Sequence, residues 1–115
     1  MEAVGVSLSS LVDHAKNLRQ VRKADMRVGD LVYVKTYNSV YVISVLGEGQ
    51  YAVSGGWFDR NNLSQMTIRI NGCSWGGSAI KVDVVAACGL CIEFGNKVTT
   101  SIIQKIFVLQ SGSKN

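Results

Sequence analysis

Proline is absent from the 115 residues, and charge is scarce, since Asp, Glu, Lys and Arg together make up 17% of the chain. Proline and charged side chains are two devices that keep exposed strand edges from pairing with other chains. Without proline, that role falls to charged residues at strand positions. The five that we expect to serve are Lys35, Arg69, Lys81, Glu93 and Lys105. Scarce charge also leaves apolar surface uncovered, so a homo-oligomer is one expectation.

Histidine occurs once, as His14, and this narrows the enzyme classes that the chain can support. A Ser–His or Cys–His mechanism needs an imidazole beside the nucleophile, and no pattern in the sequence places His14 near one. The glycine-rich stretch around Trp75 carries neither a phosphate-binding loop nor a dinucleotide-binding fingerprint. We therefore predict a protein that is not an enzyme and that uses no cofactor.

Cysteine is rare, and its odd number excludes a framework of paired disulfides. Cys88 and Cys91 have the C-x-x-C spacing found in zinc sites and in redox pairs. Four zinc ligands would require both of them together with Cys73 and His14. Their neighbours are apolar, which disfavours a reactive thiolate. We predict no metal site, and cysteines that pack as small apolar side chains.

No apolar run reaches the roughly 18 residues of a membrane span, and the first residues lack the pattern of a secretory signal. With so few cysteines, these absences predict a cytoplasmic protein with no membrane partner. The length fits a single domain over 1–115. A net charge of +4 favours acidic partners in general, without selecting a nucleic acid or an anionic metabolite.

Residues 7–23 have apolar side chains at intervals of three and four, which is the pattern of an amphipathic helix. Ser7 or Ser10 can cap its start. Basic side chains gather near its end, where they oppose the helix dipole. We predict an N-terminal helix over 7–23.

From residue 28 onward the pattern changes to alternation, with many valines, isoleucines, tyrosines and threonines. It predicts seven short strands, at 31–37, 39–46, 50–54, 66–70, 78–86, 90–94 and 101–109. The last segment also fits one face of a helix, although its β-branched residues favour a strand. Short connections predict antiparallel neighbours, and such a set suggests a small closed barrel or a sandwich.

The entry Val28-Gly29-Asp30-Leu31-Val32-Tyr33-Val34 resembles the first turn and strand of many SH3-like barrels. This resemblance covers the fold alone and carries no functional residue. The fold class that we predict is mainly β (α+β by content). The N-terminal helix packs on a small antiparallel barrel over 28–110, SH3-like or related, and 111–115 form a frayed tail.

Two tryptophans in glycine-rich stretches, Trp57 and Trp75, suggest a binding module with a cleft for a small molecule or peptide. Asp59, Arg60, Asn61 and the adjacent Asn62 would supply its polar contacts. In the competing interpretation the tryptophans plug one end of the barrel, and the glycines make room for the rings. The sequence leaves both interpretations open.

A nucleic-acid-binding barrel is the alternative function. Tyr33, Lys35 and Tyr37 alternate onto one side of a strand and Tyr41 follows on the next, so stacking rings would stand beside a positive charge. Tyr33 and Tyr41 also suit the core or a cross-strand pair. A second alternative is a structural protein that assembles as a homodimer without any ligand.

Overall fold

The computed structural model describes residues 15–75 and 79–111, which form three antiparallel sheets. Eleven strands, one short α-helix and one 3-10 turn at Lys23–Asp25 make up these residues. The strands are β1 (Lys16–Leu18), β2 (Gln20–Arg22), β3 (Leu31–Thr36), β4 (Val40–Gly47), β5 (Gln50–Gly55), β6 (Met66–Ile68), β7 (Ile70–Ser74), β8 (Ile80–Lys81), β9 (Val84–Ala87), β10 (Cys91–Phe94) and β11 (Ile103–Leu109). The helix, α1, spans Gly56–Arg60 between β5 and β6.

The largest sheet has six strands in the order β1-β11-β3-β4-β5-β6. Buried and more exposed side chains alternate along its strands, as expected for a sheet with one buried face. In β3, for example, Val32, Val34 and Thr36 are buried, whereas Tyr33 is half-buried and Lys35 is exposed. The buried face covers the core, and we call the opposite one the outer face.

Two smaller sheets, β10-β7-β8 and β2-β9, complete the fold. Their buried residues join those of the large sheet in one hydrophobic cluster. Strand β9 is buried at all four positions, as expected for a strand with neighbours on both faces. The core therefore lies between the inner face of the large sheet and the two smaller sheets.

Aromatic rings fill the core where β5 runs into α1. The Phe58 ring meets the rings of Phe94 and Tyr41 edge-on, with centroids 5.0 and 6.2 Å away. Gly55 and Gly56 allow this approach. Both have positive φ, and a Cβ atom would strike the Val40 carbonyl at the first glycine and the Tyr41 ring at the second.

The prediction of an N-terminal helix is wrong for residues 15–23, and residues 7–14 lie outside the described part of the chain. Lys16–Leu18 pair with β11, and Gln20–Arg22 pair with β9. Leu18 packs against the core and Val21 is buried within it. These apolar residues lie inside because their strands pair with two sheets, and not because they share one face of a helix.

The prediction of a closed, SH3-like barrel is also wrong. In the described residues, the large sheet ends at β1 on one side and at β6 on the other. After Ile68 the chain leaves this sheet, and β7 pairs with β10 and β8 instead. The mainly β class is nevertheless consistent with the structure.

Five of the seven predicted strands match strands of the structure to within two residues, and the ambiguous last segment is the strand β11. The structure has eleven strands, and β7 continues to Ser74, beyond the predicted end at residue 70. Two predicted strands are each divided: 66–70 breaks at Arg69, and 78–86 breaks at the turn of Val82 and Asp83. In the predicted tail, Ser111 is held by a backbone hydrogen bond to Asp30. Residues 112–115 lie outside the described part.

Candidate functional site

Trp57 lies in α1 and packs against the core. Its ring meets Phe58 edge-on at 5.3 Å, and its backbone N–H donates to the Tyr41 hydroxyl at 3.3 Å. Its carbonyl accepts both the backbone N–H and the side-chain amide of Asn61. These contacts pack Trp57 against the core, but among the described residues the sheet has no closed barrel end for it to plug, and the room that the glycines make is for Tyr41 and Val40.

The polar residues predicted around Trp57 hold the local backbone. The Asp59 carboxylate accepts hydrogen bonds from the Ser64 hydroxyl and from the Gly55 backbone N–H, and these two bonds lower its pKa below the ordinary value. Arg60 donates to the Ser39 hydroxyl at 3.2 Å. Asn62 has a positive φ, and its backbone N–H donates to the Asp59 carbonyl.

Trp75 lies apart from this group and is 63% exposed. It follows the last residue of β7, whereas Ile70 at the start of β7 is the register partner of Phe94, which contacts Phe58. Five residues of extended strand cover roughly 16 Å. Among the described residues, Trp57 makes a ring contact with Phe58 and none with Trp75.

The three cysteines are free, and two of their thiols approach different backbone carbonyls. Cys73 Sγ lies 3.6 Å from the Val85 carbonyl, and Cys88 Sγ lies 3.6 Å from the Gln104 carbonyl. Burial raises the pKa of the Cys73 thiol to about 12. Within 15–75 and 79–111, no three His, Cys, Asp or Glu residues cluster as metal ligands; His14 lies outside these ranges.

Of the residues predicted for nucleic-acid binding, Tyr33 and Lys35 share the outer face of the large sheet. Tyr37 is 67% exposed just beyond the end of β3. Tyr41 is the register partner of Val34 and is buried with it, so it belongs to the inner face and the aromatic core. The structure thus separates Tyr41 from the other three residues.

A cleft of about 430 Å³ opens near the start of β5. The sequence did not indicate it. This volume falls within the usual range of small-molecule sites. We call it the cationic cleft. The residues that line it are Lys23, Gly49, Tyr51, Arg69, Ile70, Asn71, Ile80 and Val82.

Arg69 reaches the cleft because the chain breaks between β6 and β7. Its carbonyl accepts the Gly95 N–H at 2.8 Å, which fixes the backbone there. Its guanidinium extends over the turn between β4 and β5, where a Cβ atom at Gly49 would lie 2.6 Å from Nη1. Gly49 has φ +77°, a backbone conformation that favours glycine, and its missing side chain leaves room for the guanidinium.

Lys23 comes from a different part of the chain. Its backbone N–H donates to the Asp83 carbonyl at 2.9 Å, which holds the 3-10 turn against the segment containing Val82. Within the described ranges, neither Lys23 nor Arg69 has a carboxylate at ion-pair distance. Glu48 adjoins Gly49 in the turn but does not pair with Arg69.

Tyr51 and Asn71 add uncharged polar groups to the cleft. Tyr51 is only 5% exposed, and its hydroxyl finds no hydrogen-bond partner among the described residues. Burial raises the pKa of this phenol above its ordinary value, so the group remains a hydrogen-bond donor at neutral pH. The Asn71 amide donates weakly to the Phe94 carbonyl at 3.4 Å.

Apolar side chains form the remaining wall. Ile70 is buried, whereas Ile80 and Val82 are 41% and 62% exposed. Ile80 is the register partner of Ser74, the residue before Trp75, so Trp75 lies near this end of the cleft. Two unpaired cations, a protonated phenol and an apolar wall can together hold an anion that carries an apolar body.

The sequence did not indicate this site because its lining comes from four separated segments of the chain. Lys23 belonged to a predicted helix, and Arg69 was assigned to the protection of a strand edge. One local signal was present, since Gly47-Glu48-Gly49 predicts a tight turn beside Tyr51.

In the described part of the chain, no helix has the length and apolarity to cross a bilayer. Comparison with protein-family models, with curated proteins and with solved structures gave no significant match.

Proposed function

We propose that this protein is a non-enzymatic binding module whose ligand is a small anion with an apolar part, held in the cationic cleft. The observation that carries the proposal is the convergence of Lys23 and Arg69 on one cleft without a neutralising carboxylate. Unpaired cations that share a concave site favour an anionic ligand. Tyr51 lines the same cleft, and its hydroxyl has no hydrogen-bond partner among the described residues, so it can donate to a ligand.

The cleft supports a modest affinity for a simple probe. Phenyl phosphate carries a double negative charge for the two cations and a ring for Ile80 and Val82. A ligand of this size binds in the millimolar range, about −4 kcal/mol, when the site is open to solvent. The natural ligand would gain affinity from further contacts with the exposed apolar rim.

Isothermal titration calorimetry with phenyl phosphate tests the proposal. We expect a dissociation constant on the order of 1 mM at low salt and no binding of benzyl alcohol, which has the ring but no charge. The double variant Lys23→Gln/Arg69→Gln should weaken binding roughly tenfold or more, because it removes two charge-assisted hydrogen bonds. Tyr51→Phe should weaken it by a smaller factor and leave the fold intact.

The matched control is Lys35→Gln/Lys105→Gln, which removes the same charge from the outer face. It should bind phenyl phosphate as the unaltered protein does. Equal weakening in both double variants would mean that net charge alone attracts the probe, and the cleft would lose its role.

The cytoplasmic location remains part of this proposal, and the three free cysteines support it because a reducing compartment keeps thiols unpaired. The absence of catalysis is likewise proposed. It is supported by the character of the cleft, whose polar side chains are two cations, a phenol and an amide. None of these is a general base at neutral pH.

A further inference from the structure

The outer face of the large sheet is a second surface that the cationic cleft does not use. Tyr51 points to the inner side of β5 and into the cleft, whereas the outer face lies on the other side of the same sheet. At its centre are strands β11 and β3, which are direct neighbours in the sheet. Their outward side chains are only partly covered.

Two aromatic residues are paired across these strands. Tyr33 and Phe107 are register partners on β3 and β11, so their Cα atoms are about 5 Å apart. Both are half-buried, and no ring contact joins either one to another aromatic residue among those described. Each ring therefore has a surface that the core does not occupy.

Two lysines form the next outward pair along the same strands. Lys35 and Lys105 are register partners, and both are exposed. Lys35 Nζ donates only to the neighbouring Thr36 carbonyl at 3.3 Å. Because every second residue of a strand points to the same face, this pair lies two residues, or roughly 7 Å, from Tyr33 and Phe107.

The whole large sheet lacks negative side chains. None of its six strands contains Asp or Glu, and the outer face carries Lys35 and Lys105. A second copy docked face to face would bring lysines toward lysines with no carboxylate between them, and like charges at an interface cost energy. The charge of this face is complementary to a polyanion and not to another copy of the chain.

We infer that the outer face binds single-stranded nucleic acid, with bases stacked on Tyr33 and Phe107 and the phosphate backbone held by Lys35 and Lys105. Exposed bases stack on aromatic side chains regardless of sequence, and a nearby basic row follows the backbone. Unpaired bases are needed, because the bases of a duplex are already stacked on one another. Tyr37, exposed beyond the same end of β3, extends the surface.

Fluorescence anisotropy with a fluorescein-labelled oligo(dT) of 12 nucleotides tests the inference. We expect binding at 50 mM salt, with a dissociation constant on the order of 10 μM, and weaker binding of a duplex of equal length. Lys35→Gln/Lys105→Gln should weaken oligonucleotide binding at least tenfold. It should also reduce the slope of log affinity against log salt by about 1.4, since each lost phosphate contact removes about 0.7.

The aromatic pair has its own test. Tyr33→Ala and Phe107→Ala should each weaken binding by roughly 5- to 100-fold through lost stacking, whereas Tyr33→Phe should retain it. If either alanine variant fails to fold, the lysine variant still decides the matter, because both lysines are exposed and their loss leaves the core unchanged.

The cleft variant Lys23→Gln/Arg69→Gln is the matched control, since it loses the same charge on the other side of the sheet. It should keep oligonucleotide binding even though it loses phenyl phosphate, so the two proposals can fail separately. Four results would overturn the inference: no oligonucleotide binding, unchanged affinity in Lys35→Gln/Lys105→Gln, binding only to vesicles of phosphatidylcholine and phosphatidylserine, or a dimer that buries the outer face.

Discussion

Asp30 ties together three segments that are distant in the sequence. It is 2% exposed, and its carboxylate accepts the backbone N–H groups of Arg27 and Ser111 at 2.9 and 2.8 Å. Its own carbonyl accepts the N–H of Val45. The Gly29-Asp30 turn that resembles an SH3-like entry thus has a role here without a barrel around it.

Replacing Asp30 should therefore be costly. Asp30→Ala leaves the backbone N–H groups of Arg27 and Ser111 without their charged acceptor, and we expect the free energy of unfolding to fall by about 1–3 kcal/mol. Urea denaturation followed by circular dichroism measures the difference. Asp25→Ala, at an exposed position in the 3-10 turn, is the control and should stay within about 0.5 kcal/mol of the unaltered protein. Equal losses would contradict the role assigned to Asp30.

At the residue scale, sequence patterns located strand positions better than they located the site. Alternation placed Tyr33 and Lys35 on one face, as the structure has them. It also suggested Tyr41 for that face, because alternation cannot tell which face of the next strand a residue occupies until the register is known. Lys23 and Arg69 had no sequence signal, since their meeting depends on a contact between distant segments.

At the element scale, the junction of β5 with α1 depends on two glycines. Gly56 has φ +43°, and its Cα lies directly against the Tyr41 ring. The chain can therefore turn from the sheet into the helix while Phe58 enters the core. The sequence marked this stretch as distinctive through its glycines, but it did not indicate that Tyr41 was the neighbour that required them.

Gly56→Ala should destabilise the protein more than Gly89→Ala does. Both glycines have positive φ, so both variants carry backbone strain on the order of 1–2 kcal/mol. Gly89 has open space around a Cβ atom, whereas Gly56 does not. Overpacking against Tyr41 should add about 1–3 kcal/mol. Equal losses for the two variants in urea denaturation would show that the junction tolerates a side chain.

The N-terminal strands show why elements near a sheet edge are hard to predict. Strands β1 and β2 are three residues each, too short for alternation to stand out from a helical spacing. Their conformation is set by β11 and β9, which lie far along the chain. Local propensity therefore pointed to a helix, and long-range pairing decided otherwise.

At the scale of the whole molecule, the mainly β class followed from the sequence, but the way the sheets close did not. Turn residues and alternation give the strands in order. Whether a sheet closes into a barrel depends on which strands pair, and the loops alone do not specify those pairings. Here β11 pairs with β1 and β3, and within the described residues no second strand pairs with β6, because β7 joins another sheet.

The stability of the whole molecule should fall in alkali. Burial raises the pKa of Cys73 from 9.0 to about 12, so the folded protein holds this proton more tightly than the unfolded chain does. The resulting stability is complete below pH 9 and is lost as the pH rises from about 9 toward 12. Tyr51, whose pKa is also raised, adds to the loss above pH 10.

Urea denaturation from pH 8 to 11 measures this dependence. Cys73→Ala should reduce the slope by up to about 1.4 kcal/mol per pH unit, because it removes one titrating group. Val85→Ala is the control. It alters packing beside Cys73 but keeps the thiol, so it should lower stability by a similar amount at every pH. An unchanged slope in Cys73→Ala would contradict the assignment.

We propose that the small-molecule site is the cationic cleft and not the region of Trp57. A titration of ¹⁵N-labelled protein with phenyl phosphate, followed by amide chemical shifts, distinguishes the two. We predict that the largest changes fall at Gly49, Tyr51 and Asn71 and saturate together, with the amides of Trp57 and Asp59 unaffected. Changes centred on Trp57 and Asp59, or no saturable change anywhere, would contradict the account.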